Sequence, residues 1–296
     1  MPLLGEFSAL ITALLWSVGS YAFTHAAENI GSVQLNMNRL ILAAVLLFLT
    51  IVIFNFNYHI SYNQVLNLSI SGIIGLVIGD SFLFKAYRQI GARLTILIMS
   101  FAPVLSALMA FFFLSERISF IGISGMVITV MGIMLVVSEP NKSPGTKYKI
   151  TPLGFFNGFM AAAGQAGGLI FAKLAFDRGE INGFVATFVR IFTAVVVFIP
   201  LLIIMRRFKS PIKTYAHNNK ALITTFIGTV CGPFLGITFS LIAIEYTKVG
   251  IAATLIATMP VIMLPISRFY FKDSLSWRSI TGAFIAVIGI AILFLR

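Results

Sequence analysis

Stretches of about twenty apolar residues recur along this chain with few polar residues between them, and that pattern decides which solvent it can fold in. Of its 296 residues 59% are hydrophobic and only 10% charged, and the mean hydropathy is +1.00. Soluble domains carry roughly 25% charged and about 45–50% apolar residues. No arrangement of these side chains covers such a core with a polar surface. A disordered chain is excluded as well, because it needs low hydrophobicity and high net charge. A bilayer-spanning helix needs about 20 mostly apolar residues, and ten such runs fit, near 3–25, 33–54, 66–88, 94–114, 119–138, 153–176, 183–205, 220–246, 250–270 and 276–295. The expected class is an all-α membrane protein with ten transmembrane helices. The first run carries Glu6, lacks a basic leader and shows no small-residue cleavage site, so it reads as a permanent span.

Two segments break the apolar pattern. Residues 139–152 (EPNKSPGTKYKITP) mix Pro, Gly and Lys and read as a linker; residues 206–220 (RRFKSPIKTYAHNNK) carry five basic residues and no acid, and read as a solvated loop. The net charge of 21 − 9 = +12 lies between apolar runs, so its partner is the anionic face of a bilayer and not nucleic acid. The single cysteine, Cys231, permits no internal disulfide. His25, His59 and His217 lack metal-ligand spacing, no catalytic set can be assembled, and nothing calls for a cofactor.

Shifting the chain by 157 residues aligns 72–135 with 229–292 without a gap and with fourteen identities. Gly75 meets Gly232, Gly79 meets Gly236, Phe82 meets Phe239, Ala86 meets Ala243, Pro103 meets Pro260, and Glu116 meets Asp273. Gly125 with Gly282 and Gly132 with Gly289 continue the register. Upstream, GEFSALITALLWSVGS matches LGFFNGFMAAAGQAGG at a shift of 149, and Arg39 falls on Arg190 at 151. Two repeats follow, 3–138 and 153–295, joined by the linker 139–152. Five spans in each would invert the second copy relative to the first, an architecture of many secondary transporters with a site near the midplane.

Over these same stretches the chain resembles the drug/metabolite transporter superfamily, EamA-like branch. The resemblance lies in GEFSALITALLW, AYRQIGARLTILIMSFAPVLSALMAFFFLSERISFIGISGMVITVMGIML and GPFLGITFSLIAIEYTKVGIAATLIATMPVIMLPISRFYFKDSLSWRSITGAFIAVIGIAIL. It covers essentially the whole chain and implies a transporter of amino acids, other metabolites, nucleotide sugars or drugs. One departure stands out. The small multidrug resistance relatives couple export to protons through a glutamate midway along their first helix, and the matching positions here are Trp16 and Gln165. That proton-coupling device is not carried over.

Ionisable groups inside a membrane are costly and default to functional candidates with a named partner. Asp80 lies about eight residues from the end of span 3 and Arg39 about six into span 2, so both sit roughly 9–12 Å from one face. An Asp80–Arg39 pair is expected, either as a fixed strut or as part of a site. The repeat position opposite Asp80 is Ile237, which leaves Arg190 without the equivalent acid. Ser8, Thr12, Trp16, Ser20 and Thr24 form a stripe at four-residue spacing, matched in span 6 by Asn157, Gln165 and Gly168. Such stripes line a cavity or allow close packing. Asn36 shares a face with Arg39, Pro103 and Pro260 unwind or kink their spans, and Thr258 is placed to fill a carbonyl freed there. The candidate substrate-binding residues are therefore Trp16, Asn36, Arg39, Asp80, Gln165, Arg190 and Thr258. Lys85 and Lys173 read as snorkelling, Glu116 and Asp273 as solvated caps, and the paired glycines of spans 5 and 10 as a packing seam.

The expected function is secondary transport of a small polar or amphipathic organic solute, an amino acid or related metabolite, in the export direction, by alternating access. The partners are that solute, a coupling proton or ion, and lipid, with the chain monomeric or homodimeric in a bacterial or archaeal plasma membrane. A lipid-headgroup flippase or embedded enzyme, a drug exporter and a passive channel are the alternatives. Of the 21 basic residues six fall to the face carrying the termini and fifteen to the other. Charge bias thus places both termini outside, whereas the resembling family keeps them in the cytoplasm.

Overall fold

The computed structural model describes residues 3–99, 101–137, 151–216, 218–259, 261–262 and 276–294. Pro260, Asp273, His217, most of the linker and the later part of the ninth span lie outside the described residues. Among those described there are helices and no strands. Among the described residues six helices are long and apolar enough to cross a membrane, and three shorter apolar helices accompany them. The protein is a multi-pass integral membrane protein.

The chain enters through α1 (Leu4–Ile30), turns at Gly31, whose φ of +81° suits glycine, and leaves through α2 (Ser32–Ile53). Phe7, Ile11, Leu14 and Val18 are exposed on one side of α1, while Ser8, Thr12 and Ser20 are buried on the other. In water that distribution would be inverted; in lipid the apolar face is the outer one. Ser61 opens α3 (Tyr62–Gly72) in a reciprocal capping box with Gln64. A π-helical segment, Ile73–Gly79, then leads directly into α4 (Asp80–Met99). Helical backbone therefore continues through 89–93, where the sequence suggests a loop, and the next described residue outside a helix is Phe101. Ile90 and Ile98 pack over Gly154 and Gly158, one turn apart on a single neighbouring helix.

Beyond the interruption come α5 (Ala102–Leu114) and α6 (Phe120–Val137), and then α7 (Pro152–Phe176), capped by Thr151 with Pro152 in its first turn. Asn182 caps α8 (Gly183–Ile204). A short α9 (Pro211–Tyr215) precedes α10 (Asn219–Thr229), which passes through a second π-helical segment, Val230–Phe234, into α11 (Leu235–Tyr246). Helix α12 (Val249–Ile256) and α13 (Trp277–Phe294) complete the described elements.

The packing is reciprocal. Helix α1 lies along α10–α11 while α7 lies along α3–α4; α2 meets α8, α5 meets α12, and α6 meets α13. The first two contacts exchange into each other when the repeats are swapped, and the other three join corresponding members of the two repeats, as a two-fold relation would give. Glycines permit the close approaches. A Cβ on Gly164 would lie 2.6 Å from the Cα of Gly79, and one on Gly289 would lie 2.8 Å from the Gly125 carbonyl. The glycine seam expected between spans 5 and 10 is thus where α6 and α13 touch.

Candidate functional site

Both π-helical segments start at positions 157 apart, Ile73 and Val230, and both face the interior. The two later breaks obey the same shift. Phe101 N–H donates to Ile98 at 3.1 Å and Thr258 N–H to Leu255 at 3.2 Å; Leu105 N–H then reaches Phe101 at 3.0 Å as Ile262 reaches Thr258 at 3.2 Å. Of the two readings the sequence allows, an unwound or a kinked span, Pro103 does not kink a continuous one. It is the second residue of α5, where a missing N–H costs nothing because that donor is an orphan in any helix.

These interruptions surround one cavity of about 130 Å³, room for about four waters at roughly 30 Å³ each. Met99 and Ala102 approach it from one break, Ala257 and Met259 from the other, and Trp16, Arg39, Asp80, Gln165 and Arg190 complete its polar wall. Five of the seven candidate residues thus share one space. Asn36 and Thr258 do not line it. Asn36 is fully buried behind Arg39: its Oδ1 accepts from Arg39 Nε at 3.1 Å and from a terminal guanidinium nitrogen at 3.0 Å, and its amide donates to the Leu76 carbonyl at 3.3 Å. Thr258 donates to Leu255 at 2.7 Å, a bond that closes the turn at the break.

Arg39 donates to the Asp80 carboxylate, forming the expected ion pair. Its guanidinium also lies 5.3 Å from the ring centre of Phe23 and 4.7 Å from that of Phe84, within cation–π range. Arg39 is therefore neutralised, hydrogen-bonded and flanked by aromatic rings. Arg190 is held differently. It is 4% exposed, its guanidinium runs between Gly75 and Gly168, and among the described residues no acceptor meets its Nε. Trp16 sets its indole against Gly236, where a Cβ would clash with the ring. The polar stripe of α1 divides. Trp16 and Ser20 line the cavity, while Thr12 donates to Ser8 and to the Gly236 carbonyl at 3.3 Å, joining helices. Asn157 also serves packing, donating to Gln89 at 2.6 Å. Sequence reasoning passed over Tyr87, Phe23 and Ser240 on the cavity wall, because lone aromatic or hydroxyl residues late in a span carry no distinguishing signal.

The cavity reaches from mid-bundle toward the end where α1 finishes, past Phe23, Phe84 and Tyr87. At the other end the repeat-related residues Ala172 and Ile244 are fully buried. A polar network seals that end. Thr247 donates to Glu6 at 3.1 Å, Val249 N–H to Glu116 at 3.1 Å, and Lys173 Nζ to the carbonyls of Ile244 at 2.8 Å and Glu245 at 3.3 Å. Lys248 reaches the Arg117 carbonyl. Glu116 is thus no freely solvated cap: half-buried, it holds the first N–H of α12. Burial raises its pKa above the ordinary carboxylate value, against the pull of the Val249 N–H and of Lys173 and Lys248, with Asp177 adding to the rise. Lys173 does not snorkel. Lys85 is exposed, with its amine 5.2 Å from the ring centre of Phe82.

Comparison with known proteins adds three findings. The family model of the EamA-like transporter family matches residues 3–138 and again 152–295. An uncharacterized transporter of Archaeoglobus fulgidus is 21% identical over 290 residues, spanning 97% of this chain and 96% of its own. A protein of known crystal structure superposes with a TM-score of 0.77 at 15% identity, covering all of this chain and 98% of its own. That likeness speaks to the fold alone.

Proposed function

The chain belongs to the EamA-like transporter family, and from that premise we propose that it is a secondary active transporter of a small amphipathic organic solute, an amino acid or related metabolite, working in the export direction. Two inverted five-helix halves, 3–138 and 153–295, would expose the cavity to one side of a bacterial or archaeal plasma membrane and then to the other. Trp16, Gln165 and Arg190 would contact the solute; Asn36, Arg39 and Asp80 would form the fixed wall; Thr258 would brace the break.

One observation carries the reading. The cavity is walled by both sequence repeats at their paired helix interruptions and extends toward the end where α1 finishes, while Ala172 and Ile244 at the other end do not line it. Interrupted helices place polar backbone at mid-membrane depth only where protein or a water-filled space receives it. Two breaks at related positions give the solute the same wall in either orientation of the halves. Discrimination against large molecules follows from the cavity's size.

The test is flux in sealed proteoliposomes against a panel of amino acids and small metabolites, with and without a pH gradient. Saturable, protein-dependent flux of at least one solute is expected, reduced about tenfold or more when Gln165 is replaced by Leu, since a lost hydrogen bond leaves a polar solute atom unpaired. Flux that does not saturate, or that Gln165→Leu leaves unchanged, contradicts the reading.

A further inference from the structure

Resting on the transporter reading, we propose that the solute carries a carboxylate and that Arg190 receives it, in the place where the first repeat holds Asp80. In the first repeat the arginine of the second span has a permanent counter-charge. Arg39 bonds Asp80 and Asn36 and lies between two rings. In the second repeat Arg190 occupies the related position, but the residue aligned with Asp80 is Ile237, and both line the cavity. The partner that the repeat would supply is missing from the protein.

Three features of Arg190 point to an outside partner. A guanidinium does not lose its proton under ordinary conditions, and an unpaired buried charge is expensive. The electrostatic field of Asp80 reaches Arg190, but Asp80 is bonded to Arg39, and among the described residues Arg190 takes part in no ion pair. Its surroundings also leave it uncovered on the inner side. A Cβ on Gly75 would come within 3.2 Å of a terminal guanidinium nitrogen and one on Gly168 within 3.4 Å, so glycine at both positions makes room for the guanidinium, which also lines the cavity.

The charge arithmetic selects the ligand. Arg39 and Asp80 cancel, and Arg190 leaves the cavity wall at +1. The rest of the wall is mostly apolar, including Leu76, Leu83, Leu169, Ile237 and Ile256. A carboxylate on a compact apolar body matches both, its two oxygens suiting the planar fork of guanidinium donors. A multiply charged phosphate ester would bring charge that the wall does not balance.

The experiment measures binding to the purified full chain in detergent, by calorimetry, for a series of carboxylic acids from acetate to 3-phenylpropanoate, each paired with its primary amide. At least one acid is expected to bind about tenfold or more tightly than its amide, as a charge-assisted contact demands. Arg190→Gln should abolish that preference, and Arg190→Lys should retain part of it. If Arg190→Gln does not fold, the acid-to-amide comparison in the unaltered protein still decides. Equal binding of acid and amide across the series, or a preference that survives Arg190→Gln, overturns the proposal. Because binding is read without flux, the two readings fail separately. Saturable transport of uncharged solutes alone would leave the transporter standing and remove the carboxylate; carboxylate binding without flux would do the reverse.

Discussion

Arg39 and Arg190 occupy related positions, yet one is enclosed by its own protein and the other faces a space. Whether a buried arginine is structural or available depends on what lies within reach of the guanidinium, and only the first has an acid, an amide and two rings there. Removing Asp80 strands Arg39 in a low-dielectric wall, at a cost of about 3–5 kcal/mol. Asp80→Asn should therefore lower the thermal midpoint in detergent by more than the double variant Arg39→Met with Asp80→Asn, in which Arg39 is no longer left as a stranded charge. A silent Asp80→Asn, in both stability and flux, would make the pair decorative. The pair itself was legible in the sequence, because two ionisable residues at equal depth on adjacent antiparallel spans have few other partners. The role of Asn36 was half legible: helical spacing placed it beside Arg39, but the same spacing did not say that it would stand behind the arginine and brace the Leu76 carbonyl.

At the scale of elements the helix interruptions are the main lesson. A proline in an apolar run signals a lost N–H, and that signal is the same whether the helix bends or a new helix begins. The structure decides for a new beginning at Pro103, and the repeat-related turn at Thr258 obeys the same hydrogen-bond pattern. The π-helical segments were not legible at all, because an extra residue per turn leaves the apolar period almost untouched over five to seven residues; such segments often mark functional regions. The loops of the sealed end add a pH dependence. Folded Glu116 keeps its proton to higher pH than the unfolded chain, because burial disfavours its charge. Its contribution is therefore favourable at acid pH and is lost as pH rises from the ordinary carboxylate range through the raised value. The thermal midpoint of the unaltered protein relative to Glu116→Gln should fall over that interval; a relative midpoint that rises with pH would mean that the Val249 N–H and the two lysines outweigh burial.

For the whole molecule, fold class and repeat register were readable from apolar run lengths and from aligned glycines, prolines and acids, since these constraints survive divergence of the lipid-facing residues. Reciprocal packing of the elements of the two repeats is what a two-fold relation would give. Orientation is a separate matter of charge. Fifteen of the 21 basic residues fall to the face opposite the termini, and the positive-inside rule places that face in the cytoplasm. A reporter active only in the cytoplasm and fused after Arg296 should be silent, whereas the same reporter inserted in the loop at 206–220 should be active. The opposite result would mean that the resembling family's habit outweighs the charge count.

The central claim is that one cavity serves both sides of the membrane in turn. Leu83 and Ser240 test it, because they hold the same place in the two repeats and both line the cavity. Each would be replaced by Cys in a Cys231→Ser background and reconstituted in sealed vesicles of known orientation. A membrane-impermeant maleimide would then be added from inside or from outside. Labelling of both sites from both faces is predicted, fastest for Leu83→Cys from the face where α1 ends, with no leak of small ions. Labelling of each site from one face only, under every gradient applied, would contradict alternating access.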